Sequence, residues 1–423
     1  MSTEPTAPSA TPPDQPAEPI RRPPVMSRRR LFALGAGGLV AVAASVGAAD
    51  TALGGPLRQR VAKAVSPSSS ASSATSEPYT AKVLTPARNV GPGDLFISDM
   101  AETDPRLVII DSAGRELWSK SGARSYADFR LQTYQGQPVF TWWESDSVGL
   151  AAYGDGRAVV ADTSGNEITS IGTRGKVSPD EHEFFLTPSG TALITSYVKT
   201  QVDLSHYGGS TTGWVMDGVF EEIDLATGTV LMRWSALDHV KLTESYAKIP
   251  SDPDEPYDYF HINSVKRTPD GHYLVSARHV WAVYQVHART GAVMWRLGGR
   301  KSDYKLTKTA TFAWQHDAQF ETADTIRLFD NGSDGTVVAT PESRVLWLKL
   351  NQTARTVTLT RQLAHPDKVS AAAMGNAEPL ANGNLVVGWG TAKRISEFAP
   401  DGTLVFDAEL PNMTYRCFRN TWR

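Results

Sequence analysis

Nine histidines are spread along the 423-residue chain, and three of them recur at one place in a repeating pattern. His182 lies eight residues before the turn glycine Gly190, His261 ten before Gly271, and His316 eight before Asp324 at the matching turn position. Asn376, seven before Gly383, is the counterpart in a further repeat. Near neutral pH an imidazole can be a nucleophile, a general acid or base, or a donor to developing oxyanion charge. Other polar groups gather around the three. Asn263 is two residues past His261, so in a strand both side chains point to one side. Arg278 and His279 end the second strand of the same hairpin and lie beside the start of the first. Asn331 holds the matching place beside His316, and Tyr197 beside His182. The group is cationic and rich in imidazole, with no obvious carboxylate pair, and suits an anionic ligand. A three-histidine metal centre and binding without turnover stay open on residue types alone. His206, His239, His272, His287 and His365 fall on turns or outer strands and are expected at the surface.

The elements that must hold these residues are short β-rich runs separated by Gly, Asp, Asn and Pro turns, an all-β pattern. Two kinds of hairpin alternate. One turns on Thr-Pro-Ser-Gly or a relative, as in 184–197, 265–278 and 378–390. The other has the form apolar-x-Asp-x-x-x-Gly-x-apolar-x-Trp, as in 108–118, 220–234 and 283–295. Adjacent pairs make six four-stranded sheets at about 92–120, 130–172, 182–234, 261–299, 316–363 and 376–410. A four-stranded sheet cannot bury both faces alone, and radial stacking buries them. The expected fold is a six-bladed β-propeller of four-stranded antiparallel blades, with the closing Trp of each second hairpin between neighbours. The segment 415–422 is expected to pair with the first blade. The three histidines then converge on one end of the central channel.

Composition limits the partners. Lys+Arg 42 against Asp+Glu 45 gives a net charge of -3, with no basic excess for nucleic acid. The one cysteine, Cys417, excludes an intramolecular disulfide and a Cys-based zinc cluster. Residues 1–25 read as a disordered N-terminus. Ser27-Arg28-Arg29-Arg30-Leu31-Phe32 opens a 26–50 segment whose uncharged run 31–49 reads as a twin-arginine export signal, with small residues Gly47, Ala48 and Ala49 for cleavage. A retained membrane anchor is the alternative. Residues 51–78 form a flexible linker, and the propeller occupies 79–423. The expected location is extracellular or at the cell surface.

No Gly-x-Ser-x-Gly, His-Glu-x-x-His or P-loop occurs. Arg296 and Arg300 flank Gly298-Gly299 at an inter-blade turn within reach of the channel. The insertion 235–260 carries Asp252, Asp254, Glu255 and Asp258, read as a solvated acidic loop before a calcium site. Tyr257, Tyr259 and Phe260 either wall a pocket or pack that loop.

Phe260-His261-Ile262-Asn263-Ser264-Val265, Ser276-Ala277-Arg278-His279, Trp295-Arg296-Leu297-Gly298-Gly299, Gln315-His316-Asp317 and Phe329-Asp330-Asn331-Gly332, in this order, resemble the bacterial arylsulfotransferases that use no nucleotide sulfate donor. The resemblance covers roughly residues 90–420 and is closer to the actinobacterial and fungal branch. It implies a six-bladed propeller that moves a sulfuryl group between phenols in two steps without a cofactor. By this resemblance His316 matches the nucleophile that becomes sulfated. His261 and Arg278 match holders of the sulfuryl oxygens, His182 a further site histidine, and Asn263 a positioning neighbour. Asn331, His279 and Tyr197 are expected near the substrate. The implied partners are a small phenolic sulfate donor and a phenolic acceptor, and a monomer is expected. A non-catalytic exported propeller that binds a ligand or partner is the alternative function.

Overall fold

The computed structural model describes residues 77–122, 124–146 and 154–423. The expectations for 1–25, for the 26–50 signal or anchor and for most of the 51–78 linker lie outside the described residues. Among the described residues no helix is long and apolar enough to cross a membrane.

Six antiparallel sheets form a β-propeller. Blade 2 is Ser125–Tyr134, Gln137–Ser145, Arg157–Ala161 and Glu167–Ile171, from the axis outward. Blades 3, 4, 5 and 6 begin at the axis with Phe184–Leu186, Ile262–Arg267, His316–Thr322 and Asn376–Pro379. The first strands of neighbouring blades touch one another around the axis. Two blades carry more than four strands: Lys305–Leu306 runs parallel to the rim of blade 5, and Lys82–Thr85 pairs antiparallel with the rim of blade 6.

Blade 1 is assembled from both ends of the described chain. Its outer strands are Asp94–Asp99, Arg106–Ile110 and Glu116–Ser121, while Cys417–Asn420 supplies the strand at the axis. The register places Asp94 opposite Asn420 and Ile97 opposite Cys417. The expected pairing of the closing segment is therefore present, and the 92–120 run supplies three strands of its blade rather than four.

The closing tryptophans lie between blades, as the repeat implied. Trp118 of blade 1 stacks on Phe129 of blade 2 with ring centroids 5.5 Å apart and meets Phe140 edge-on at 5.2 Å. Trp234 of blade 3 stacks on Phe220 and donates its indole N–H to the Gly291 carbonyl of blade 4 at 3.0 Å. Trp234 thus buries a large apolar ring and satisfies its one polar atom.

Polar side chains fill the axis itself. Arg416 Nη1 donates to Asp128 Oδ1 at 3.0 Å and to Glu183 Oε1 at 3.1 Å. Lys266 Nζ reaches the same Glu183 oxygen at 2.8 Å, and Arg130 forks onto Asp128 and also pairs with Glu183. Asp317 Oδ1 lies 4.0 Å from both Lys266 and Arg416. All six side chains are buried. The innermost strands and the residues that lead into them bring these side chains to the axis, where three carboxylates meet three cations.

Candidate functional site

The three histidines occupy one end of this axis. His316 opens the first strand of blade 5, His261 immediately precedes that of blade 4, and His182 lies two residues before that of blade 3. The rings of His182 and His261 meet edge-on with centroids 5.0 Å apart. Tyr415, on the approach to the closing strand, stands 5.4 Å from His182 and 6.5 Å from His316.

Each imidazole is held through Nδ1. His182 Nδ1 bonds Asp180 Oδ1, and the same carboxylate accepts the backbone N–H groups of His182 at 3.1 Å and Gly154 at 2.9 Å. His261 Nδ1 bonds Asp258 Oδ2 at 2.6 Å. His261 takes a positive φ of 52°, a strained conformation for a residue with a Cβ. These two carboxylates correct the expectation of a site without acidic groups. Asp258 is also not part of a solvated loop: it is buried between His261 and His279, whereas Asp252 and Asp254 are exposed.

His316 is held differently. Its Nδ1 donates to Asn331 Oδ1 at 2.7 Å and lies 3.1 Å from the Trp314 carbonyl. The Asn331 amide nitrogen donates to the carbonyls of Ala371 and Met374 at 2.9 and 3.0 Å, so its oxygen must face the ring. That fixes the proton on Nδ1 and leaves the Nε2 lone pair, which accepts the Met374 N–H at 3.2 Å. The 371–376 loop can lie this close because Gly375 has φ 102° and a Cβ there would stand 2.7 Å from the Phe329 ring.

Charge separates the three rings. Burial pushes His316 well below the usual imidazole range, and the Arg278 guanidinium pushes it further. Burial also works against a charge on His182, but Asp180 outweighs it, with Glu181 adding, so that ring keeps its proton above the usual range. His279 is pushed by burial to about 3, against the opposing pull of Asp258. The site therefore sets the two rings apart, His316 well below and His182 above the usual imidazole range.

Arg278 bridges blade 4 and the loop over His316. Its Nη1 donates to His279 Nε2 at 2.8 Å and its Nη2 to the Ala372 carbonyl at 2.8 Å. His279 Nδ1 donates to the Asp258 carbonyl at 2.6 Å. Asp258, His261 and His279 offer ligand atoms within 4.8 Å of one another, the one cluster of metal-binding type at this site among the described residues. Both nitrogens of His279 are already engaged and a guanidinium stands against it, so a second cation is disfavoured there.

Asn263 and Tyr197 act on the backbone. The Asn263 amide donates to the Gln315 carbonyl at 2.7 Å, beside His316, and the Tyr197 hydroxyl donates to the Ile262 carbonyl at 2.6 Å, beside His261. Asn376 lies outside the site and clamps the backbone of Cys417 through bonds of 2.8 and 2.9 Å. Arg296 and Arg300 turn to the insertion: Arg296 lies 3.4 Å from Glu244, and Arg300 donates to the Ser245 carbonyl while covering the Tyr246 ring. Tyr257, Tyr259 and Phe260 pack in the core. His365, expected at the surface, is buried against Trp389 with Nε2 3.4 Å from Asp407, because the blade 5 rim folds it under blade 6. His206 is exposed, and His239, His272 and His287 are half-buried.

Sequence reasoning missed Asp180, Asp258 as a histidine partner, and Tyr415. The two aspartates stand two and three residues before their histidines, a spacing that was available as a signal. Met374 and Tyr415 join Met100, Ala127 and Trp143 in one apolar cluster, with Ala373 and Met413 against it. Next to the histidines, then, the site has an apolar wall.

At one end of the propeller axis, then, imidazoles and a guanidinium gather beside an apolar wall. The sequence matches the family model of arylsulfotransferase (ASST) over residues 130–410, and the chain belongs to that family. No curated protein matches it. A protein of unknown function from Bacteroides caccae is similar in structure, with 13% identity, a TM-score of 0.48, and coverage of 77% of this chain and 98% of the other. A functionally unknown protein from Desulfotomaculum acetoxidans gives 11% identity, a TM-score of 0.41 and coverage of 80% and 87%. TolB from Acinetobacter baumannii gives 14%, 0.41, and 79% and 67%.

Proposed function

We propose that the protein moves a sulfuryl group from a phenolic sulfate ester to a phenolic acceptor through a sulfated His316. The observation that carries this reading is His316 held below the usual imidazole range, its proton fixed on Nδ1 by Asn331 and its charge opposed by the nearby Arg278. In the first half-reaction the Nε2 lone pair leaves the Met374 N–H and attacks sulfur. The N–S bond forms, the S–O bond to the aryl group breaks, and the phenolate takes the proton of His182. Asn331 Oδ1 accepts from the Nδ1–H of the resulting sulfoimidazolium. Arg278 and His261 face the sulfuryl oxygens, where fixed donors are most effective as charge shifts. In the second half-reaction the acceptor hydroxyl returns a proton to His182, its oxygen attacks sulfur, and the N–S bond breaks. No cofactor enters the cycle. Residues 26–49 support export by the twin-arginine route, with function outside the cytoplasm as a monomer.

Intact-mass measurement after incubation with an aryl sulfate in the absence of acceptor tests the cycle. The expected result is a gain of one sulfuryl group, discharged by added phenol and missing from His316→Ala. If the parent gains no mass, the reading fails and a non-catalytic binding module takes its place.

The pH profile gives a second check. His316 has a lowered pKa and stays unprotonated well below the normal imidazole value of about 6.5, so kcat/KM should hold through that region on the acid side. His182 has a raised pKa, so the rate should fall on the alkaline side as its proton is lost. His182→Gln should remove the alkaline limb. An acid limb at the ordinary imidazole pKa would contradict the assignment of His316.

A further inference from the structure

Beside His182 the site has a second buried polar group that the sulfuryl cycle does not use. Glu181 is 5% exposed and lines a recess with Met100, Ala101, Pro105, Ser125, Tyr126 and Trp143. Neighbouring Asp180 binds His182 and Gly154, and Glu183 belongs to the ionic cluster on the axis. Among the described residues the Glu181 carboxyl forms no hydrogen bond or ion pair, and only burial and the charges of His182 and Asp180 act on it. Burial pushes its pKa up to about 8. A carboxyl that lines a recess in such surroundings, with no other side chain pairing it, is open to a donor group that enters there.

The recess has room for about one water-sized group. It cannot hold an aromatic ring, but it can hold the tip of a substituent. Its walls continue into the main site, since Met100 and Trp143 share one apolar cluster with Tyr415 and with Met374, whose N–H touches His316 Nε2. This shared wall offers a path for the ring of a phenol whose oxygen lies at His316.

We propose that this recess is a specificity subsite for the ammonium group of an amine-bearing phenol, which Glu181 binds as a charge-assisted hydrogen bond. The inference rests on the phenol-to-phenol reading of the main site. An ammonium suits the recess better than a hydroxyl. It draws the carboxyl into its ionised form, and it gains from the faces of Trp143 and Tyr126.

The test compares acceptors that share a ring and differ at the tip: 4-(2-aminoethyl)phenol, 4-ethylphenol and 3-(4-hydroxyphenyl)propionate. In the parent protein kcat/KM for the amine is expected to exceed that for 4-ethylphenol by about tenfold or more, mostly through KM, with the acid poorest. In Glu181→Gln the ratio of amine to 4-ethylphenol should fall to near one, and the acid should gain on both. A merely structural role would lower all three together and leave the ratio as it was, which would overturn the proposal, as would a parent without amine preference. Calorimetric binding of 4-(2-aminoethyl)phenol separates this inference from the reading beneath it. Glu181-dependent binding in a protein that transfers no sulfuryl group would keep the subsite and sink the transferase, and binding indifferent to Glu181→Gln would do the reverse.

Discussion

His316→Ala is expected to cost roughly 10⁴-fold or more in sulfuryl transfer, the scale seen when a covalent nucleophile is removed from an otherwise intact site. The loss should appear in kcat, because Arg278, His261 and the apolar wall still bind substrate. The side chain is held by Asn331 on one edge and Met374 on the other, and a methyl group restores neither contact. Truncation also strands the Asn331 oxygen, at a stability cost of about 1–3 kcal/mol. A thermal melt on the same preparation separates that modest destabilisation from the kinetic effect. Transfer retained within about tenfold of the parent would exclude a sulfohistidine at this position.

Arg416→Ala is expected to lower the unfolding free energy by about 3–5 kcal/mol, the usual cost of removing one partner from a buried ion pair. Arg416 is 1% exposed, and Asp128 and Glu183 are fully buried. Without it, three carboxylates share two cations in the axis. Burial alone would keep Glu183 protonated, yet Arg416, Lys266 and Arg130 together hold its pKa below the ordinary carboxylate value. The sign follows from this depressed pKa. The paired carboxylate contributes stability above the unfolded value of about 4.3, and that contribution is lost as pH falls toward the folded value. The gap between parent and variant in denaturant unfolding should therefore be widest near neutral pH and narrow in acid. An equal gap at both pH values would mean that Arg416 acts by packing rather than by charge.

Much of the fold was legible in the sequence because a propeller repeats its own local signals. Turn glycines set the register of each hairpin, and register alone puts His182, His261 and His316 at one end of the axis. Arg278 and Asn331 followed from the same pairing, since the end of a second strand must lie beside the start of a first. The aspartates that orient His182 and His261 were harder to place. They sit in irregular segments ahead of the strands, where side chains no longer alternate, and Asp258 lay inside a run of acidic residues that otherwise faces water. Tyr415 was hidden by distance, since it reaches the histidines only when the chain closes on itself. The charges of the axis were hidden by dilution. They are scattered over segments far apart in the chain, and only convergence of the blades turns them into a balanced cluster. His365 failed for a related reason: a residue on an outer strand can still be covered by the neighbouring blade.

The strand Cys417–Asn420 does more than complete a sheet. Tyr415 and Arg416 come just before it, so one short segment brings the closure of the ring, a wall of the active site and the central cation of the axis. A ribosome must translate past residue 416 before any of these exists. A nascent or truncated chain that carries all three histidines would still lack a closed ring, an intact site and a neutral core. Ring closure, the wall beside the histidines and charge balance on the axis therefore stand or fall together.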